Sequence, residues 1–398
     1  MTQKRLSYPE FVALIASLFA ILAFSIDSML PALPQIAAEL SPDAPNAAQL
    51  IITSFVFGMG FGTLLTGPLS DAFGRRPVIF AGVALYAVAA LAAWAAPTLE
   101  TVLAARFVQG LGAAAPRVVS LAITRDLYQG RQMARIMSFV MMVFTIVPAL
   151  APFIGQYIIA AAGWRAVFLA FLVFASFAML WFGLRQPETL PEKRPLTLGR
   201  LGAGIKEVLS HRVIRLSILA QAFIQACLFG TLSSTQPILD VIYHRADEFP
   251  FWFAVIAICA SSGSFVNAAL VVKLGMRRMV VSVLIGQVVA SSLMLALTIS
   301  GAIPQDVAFA LHLIWTISVF FMIGLTMGNL NALAMEPVGH IAGMAASVMG
   351  ALSTVAAVPV AAVIGLMFDG TALPLIASVA ALALAALVTV KAMGVPKG

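Results

Sequence analysis

Long apolar runs dominate this chain, and the few ionisable residues inside them carry whatever chemistry it performs. Asp27 is the acid set deepest in any such run, Arg106 and Arg117 lie together in a later one, and His312 lies in a later one again. Facing lipid at mid-span, an Asp or Arg costs at least ~2.5–3.5 kcal/mol, so Asp27, Arg106 and Arg117 would together cost on the order of 9 kcal/mol. That is comparable to the stability of a whole domain. They are therefore expected to face the interior between helices or a wet cavity. A carboxyl held between an apolar wall and a guanidinium can load and release a proton as access to it alternates. Asp27 with Arg106 is the candidate proton-coupling pair, and the alternative is a fixed ion pair that only locks helix packing.

Arg117 follows Arg106 by eleven positions, which is about three helical turns and within ~20° of the same face. The run thus presents a cationic stripe with Gln109, Gly110, Ala113 and Ala114 beside it. It reads either as a cavity wall favouring anionic or acceptor-rich groups, or as an Arg117 reaching for the inner interface. Gln221, Gln225, Asn267 and His312 are further candidates for a substrate cavity. A lone His in such a run is also a common helix-to-helix hydrogen-bonding residue.

The elements that must position these residues follow from composition. The 398 residues are 62% hydrophobic and 10% charged, with a mean hydropathy of +1.03. A water-soluble chain carries roughly 25% charged residues. Apolar stretches near 20 residues, enough to cross a ~30 Å hydrocarbon core as helices, recur throughout, and the alternating strands of a membrane barrel are missing. The fold class is an all-α membrane protein with twelve transmembrane helices. They are expected near 10–38, 48–70, 77–96, 98–124, 133–160, 164–184, 212–240, 250–273, 277–300, 305–334, 340–368 and 371–392. The first run is too long for a cleaved leader and reads as a retained span.

Loops on one side, with the termini, hold Lys4, Arg5, Arg75, Arg76, Arg125, Arg131, Arg135, Lys273, Arg277, Arg278, Lys391, Lys397 and every Lys and Arg from 185 to 215. The other side holds Arg165 and Arg245. By the positive-inside rule both termini are cytoplasmic. The net charge of +7 is thereby a topology signal, and nucleic acid is not an expected partner. Residues 185–211, with Pro187, Pro191 and Pro195, read as a cytoplasmic linker between six-span halves at 1–184 and 212–398. Gly74-Arg75-Arg76 is echoed by Gly275 with Arg277-Arg278, and Ser138 and Gly155 find Ser347 and Gly365, as two parallel repeats would.

His211, His244, His312 and His340 are scattered over separate elements, so no metal site and no membrane-embedded enzyme is expected. Cys227 and Cys259 lie inside apolar runs and imply no disulfide framework.

Between the second and third spans stands GPLSDAFGRRP, with Gly67, Asp71, Gly74, Arg75 and Arg76. It resembles the loop signature of the major facilitator superfamily, with Ala72 where that family usually has Arg. The resemblance implies a cytoplasmic gate in which Asp71 meets the positive N-terminus of span eleven and releases it on inward opening. RFVQGLGAA, from Arg106, resembles the span-four motif of proton-coupled members. PALAPFIG, with Pro148, Pro152 and Gly155, looks like a variant of the span-five antiporter motif, which implies a smooth rocking surface. DSMLPALPQIA from Asp27, TRDLY at Thr124–Tyr128 and HIAGMAAS at His340–Ser347 are similar to the bicyclomycin-resistance (Bcr/CflA) drug exporters, although Arg117 stands where a small or neutral residue is commoner. The likeness spans the chain. It implies a multi-pass bacterial inner-membrane antiporter for multidrug efflux and antibiotic resistance. The proton would be the coupling ion and there would be no cofactor. The partners would be the lipid bilayer and a small amphipathic drug of bicyclomycin, sulfonamide or phenicol type, with the chain a monomer. Proton-coupled movement of an anionic metabolite is the alternative.

Overall fold

A computed structural model describes residues 6–190, 192–193 and 198–393, without the side chains of residues 134, 198, 200, 201, 339, 340 and 342. Expectations resting on Lys4, Arg5, Pro191, Arg194, Pro195 and Lys397, or on the side chains of Arg200 and His340, lie outside the described residues.

Among the described residues every regular element is helical. The first unit carries α1 (Tyr8–Asp27), α2 (Leu33–Leu40), α3 (Leu50–Phe73), α4 (Arg75–Ala95), α5 (Leu99–Leu127), α6 (Gly130–Ala162) and α7 (Ala166–Arg185). After it come α8 (Leu198–Ser210), α9 (Arg212–Pro237), α10 (Phe249–Leu274), α11 (Met276–Ser300), α12 (Gln305–Met335), α13 (Ala342–Leu366) and α14 (Leu373–Ala392). Twelve helical stretches are long and apolar enough to cross a bilayer, from Tyr8–Leu40 to Leu373–Ala392. They fall on the twelve expected positions. Inside the expected linker, α8 adds a helix of 13 residues.

The chain divides into two compact units, residues 1–42 with 54–201, and residues 43–53 with 202–398. Inside the first, α4 packs on α5 and α7, and α1 packs on α5, α6 and α7. Inside the second, α11 packs on α12 and α14, and α9 packs on α12, α13 and α14. Each pairing of the first unit recurs six spans later, so one set of helix contacts has been built twice.

Local sequence explains where these helices start and break. Thr98 begins α5 with a reciprocal cap, its Oγ1 accepting from Thr101 N while Thr101 Oγ1 accepts from Thr98 N. That satisfies donors a helix start would otherwise leave open. Between α3 and α4, Gly74 has φ +109°, where a side chain would be strained.

Candidate functional site

Span one does not cross the membrane as one helix. Pro31 has no N–H to donate to the carbonyl four residues back, that of Asp27, so the ladder fails there. Helix α1 ends at Asp27, a short tight turn spans Leu30–Ala32, and α2 resumes at Leu33. Asp27 is thus the last residue of α1, at a short tight turn whose flanking residues keep right-handed helical angles. Its side chain is 6% exposed and has no hydrogen bond or ion pair among the described residues.

Arg106 is fully buried. Its guanidinium donates to the Ser25 carbonyl at 3.0 Å and to Gln109 Oε1 at 2.8 Å, and it lies over the Phe55 ring at 4.3 Å. The expected ion pair with Asp27 is not formed. The cation instead grips the backbone two residues before the carboxyl. Ser25 is held from its other side as well, since its hydroxyl shares a hydrogen bond with Tyr86 on α4. Gly110 lets α3 approach, because a side chain there would overlap the Phe55 carbonyl.

Gly155 on α6 completes the frame. A Cβ on it would collide with the Ser28 carbonyl, immediately after Asp27. The space beside Gly155 is therefore filled by span one of its own unit. Pro148 and Pro152 both lie inside α6.

Arg117 is exposed although it lies well inside α5. Its Nη1 approaches Met59 Sδ of α3 at 3.9 Å, and no carboxylate of the described residues pairs with it. Gln109, on the same helix, is fully buried, and its Oε1 is taken by Arg106.

At the other end of α3 the loop signature forms a closed electrostatic knot. Arg75, 3% exposed, donates to Asp71 Oδ1 at 2.6 Å, Ser70 Oγ at 2.8 Å and Asp126 Oδ2 at 2.9 Å. Arg76 donates to the Gly183 carbonyl at 2.8 Å. Glu188 then caps the start of α4, accepting from Arg75 N and Arg76 N, both at 3.0 Å. Gly74 serves this cap twice, through its backbone angle and because a Cβ would sit 2.7 Å from Glu188 Oε2. Burial pushes the Glu188 carboxyl up, but the N–H groups of Leu190, Arg76, Arg75 and Thr189 outweigh it and hold it below the usual carboxylate range. Gly67 lies one turn before Asp71, its carbonyl accepting from Ser70 Oγ at 2.9 Å.

The candidates of the second unit have separate partners. Gln225 on α9 is tied to α13, donating to Ser353 Oγ at 2.7 Å and accepting from Thr354 Oγ1 at 2.8 Å. Asn267 accepts from Asn329 Nδ2 at 2.7 Å. Gln221 is buried, and its Nε2 has no partner among the described residues. His312 packs between Tyr243 and Trp315, its ring tilted to both, with centroids at 5.7 and 5.5 Å, and its Nδ1 has no partner among the described residues.

Sequence reading gave no role to Tyr86, Asp126 or Glu188. A Tyr inside an apolar span was a signal for the first, because its hydroxyl needs a buried partner. For Asp126 and Glu188 the signal was an acid among the cations of the cytoplasmic side.

Twelve spans, a broken first helix and polar groups buried inside one unit define a membrane transporter rather than an enzyme. A family model described as Major Facilitator Superfamily matches residues 13–365, and the chain belongs to that superfamily. It is 30% identical over 372 residues to an uncharacterized MFS-type transporter, YdgK, of Bacillus subtilis, covering 92% of this chain and 90% of that one. It is 28% identical over 384 residues to a bicyclomycin resistance protein homolog of Haemophilus influenzae, covering 94% of each. Multidrug resistance protein D of Escherichia coli is 28% identical over 345 residues, 82% of this chain and 81% of that one. Among solved structures, a D-xylose-proton symporter matches with TM-score 0.78 over 96% of this chain and 97% of that chain at 16% identity, a likeness of fold.

Proposed function

We propose that this transporter is a proton-coupled exporter of small amphipathic molecules, working by alternating access across a bacterial inner membrane with both termini cytoplasmic. The observation that carries the reading is the Asp27 carboxyl, unpartnered and barely exposed at the break of span one. A neutral carboxyl tolerates that setting, whereas a charged one needs water or a cation. Proton loading therefore goes with closure around Asp27 and release with hydration. Arg106 acts as the anchor of the preceding turn and supplies the positive field nearby. Asp71, Gly74, Arg75 and Arg76 form the cytoplasmic gate, and residues 185–211 link the two six-helix halves.

Relatives described as bicyclomycin- and multidrug-resistance proteins support drug export as the direction and substrate type. One proton entering down 100 mV releases about 2.3 kcal/mol, enough for roughly a fifty-fold gradient of a neutral solute.

The test is a susceptibility panel of bicyclomycin, sulfonamides and phenicols in a pump-deficient host, read beside proton flux in proteoliposomes. Asp27→Asn should abolish both resistance and substrate-driven proton movement while the protein inserts normally. Unchanged export with unchanged pH dependence in that variant would remove Asp27 from the mechanism. Movement of an anionic metabolite is a second reading, favoured by the unpaired, exposed Arg117.

A further inference from the structure

Arg117 does not snorkel. The inner ends of α3 and α5 share one level, since Arg75 bridges Asp71 and Asp126. From that level Arg117 stands nine residues up α5, about 13 Å at 1.5 Å per residue, and Met59 stands twelve residues up α3, about 18 Å. The contact of Arg117 Nη1 with Met59 Sδ at 3.9 Å therefore carries the guanidinium away from the inner surface, towards the membrane's middle. This is also the direction in which a helix tilts its side chains, towards its own N-terminus.

On the same face of α5, Arg106 is sealed and Arg117 is open, so the helices that close this face at its outer half leave it uncovered below. An exposed guanidinium at that depth cannot be against lipid at an acceptable cost, so it faces water. The protein offers it a thioether and no carboxylate among the described residues. Leu121, 44% exposed and one turn further in, continues the open face with an apolar group.

We infer that Arg117 is the recognition point for the anionic group of an amphipathic organic anion, a carboxylate or sulfonate whose apolar body lies along Leu121. A guanidinium matches such a group with two parallel hydrogen bonds. This names the substrate class of the exporter proposed above and rests on that reading for the transport step, though not for binding. The charge bookkeeping follows. One proton entering for one monovalent anion leaving moves two charges down the membrane potential. The voltage-supported gradient at 100 mV then rises from roughly fifty-fold to about 2,500-fold.

The experiment uses the purified full chain and a matched trio of probes: 1-naphthoate, the uncharged 1-naphthamide and the cation 1-naphthylmethylammonium, titrated by calorimetry without any gradient. Wild type should bind naphthoate at least tenfold tighter than naphthamide, and the cation weakest. Arg117→Gln should lose that preference while binding naphthamide as wild type does, which also certifies its fold. Arg117→Lys should recover part of the preference. Equal binding of naphthoate and naphthamide by wild type, no naphthoate binding at all, or an undiminished preference in Arg117→Gln each overturns the inference. Asp27→Asn separates the two proposals, since it should keep naphthoate binding while losing proton-driven transport. If it transports normally, the proton mechanism fails and the anion site stands.

Discussion

Replacing Asp126 by Asn should harm the first unit far more than replacing Asp71, although Asp71 is the residue that belongs to the recognisable loop motif. Both carboxylates bind the same guanidinium, at 2.9 Å and 2.6 Å. Their side chains differ in exposure, 14% for Asp126 and 41% for Asp71, against 4% for Arg75. Taking one partner from a buried pair costs about 3–5 kcal/mol, whereas exposed pairs contribute about 0.2–1 kcal/mol. Asp126 belongs near the lower edge of the first range, because Ser70 and Asp71 still hold Arg75 and an Asn can accept one hydrogen bond. The expectation is about 3 kcal/mol for Asp126→Asn and about 1 kcal/mol for Asp71→Asn. For a unit of this size each kcal/mol moves Tm by about 2–4 °C, so the shifts are about 6–12 °C and about 2–4 °C. Thermal unfolding of the purified protein in detergent, followed by tryptophan fluorescence, reads both. Equal shifts, or a larger one for Asp71→Asn, would refute the claim that burial decides which carboxylate matters.

The rest of that knot shows what a sequence can and cannot display. Hydropathy put twelve spans at their observed places because each must bury about 20 consecutive apolar residues, a purely local demand. Asp71 and Arg75 are one helical turn apart and were readable together. Asp126 and Glu188 reach Arg75 from 51 and 113 residues away, and no periodicity encodes such a meeting. The break in span one was open to reading from Pro31, yet its support was not. The resemblance marks Gly155 as part of a rocking surface, but no motif shows that the Ser28 backbone lies against it. Close approach of two backbones leaves only a glycine in the sequence, with no sign of what approaches.

Two further outcomes follow from the same geometry. Gly155→Ala should lower stability by about 1–3 kcal/mol through overpacking against Ser28 and should impair transport with it. Gly286→Ala, where a Cβ meets nothing within 4 Å, should leave Tm unchanged or raise it, and a matching loss at both glycines would argue against the contact. Glu188, held below the ordinary carboxylate range, contributes stability that is present above its unfolded value of about 4.3 and is lost as pH falls through its lower folded value. The Tm difference between wild type and Glu188→Gln should therefore stay constant from pH 6 to 8 and shrink in acid. A difference that grows on acidification would contradict the backbone cap.

The place of Arg106 changes how the proposed coupling at Asp27 would work. With a fixed ion pair, each proton arriving at the carboxyl would have to displace a guanidinium, and the pair's attraction would oppose loading. The observed arrangement separates the two tasks. Arg106 and Tyr86 fasten Ser25 on one side of Asp27, and Gly155 closes on Ser28 at the other. Asp27 between them has no partner of its own among the described residues. On the proposed mechanism, a backbone fixed at both edges keeps the carboxyl in place while its protonation changes, so the free energy of that change would go into hydration and helix movement rather than into local rearrangement. Arg106→Lys tests the division, because a lysine keeps the positive charge and loses the planar fork that reaches both the Ser25 carbonyl and Gln109. If the field of the cation is what matters, that variant should couple normally. If the grip on Ser25 matters, it should fail as Arg106→Gln does, and the geometry favours the second outcome.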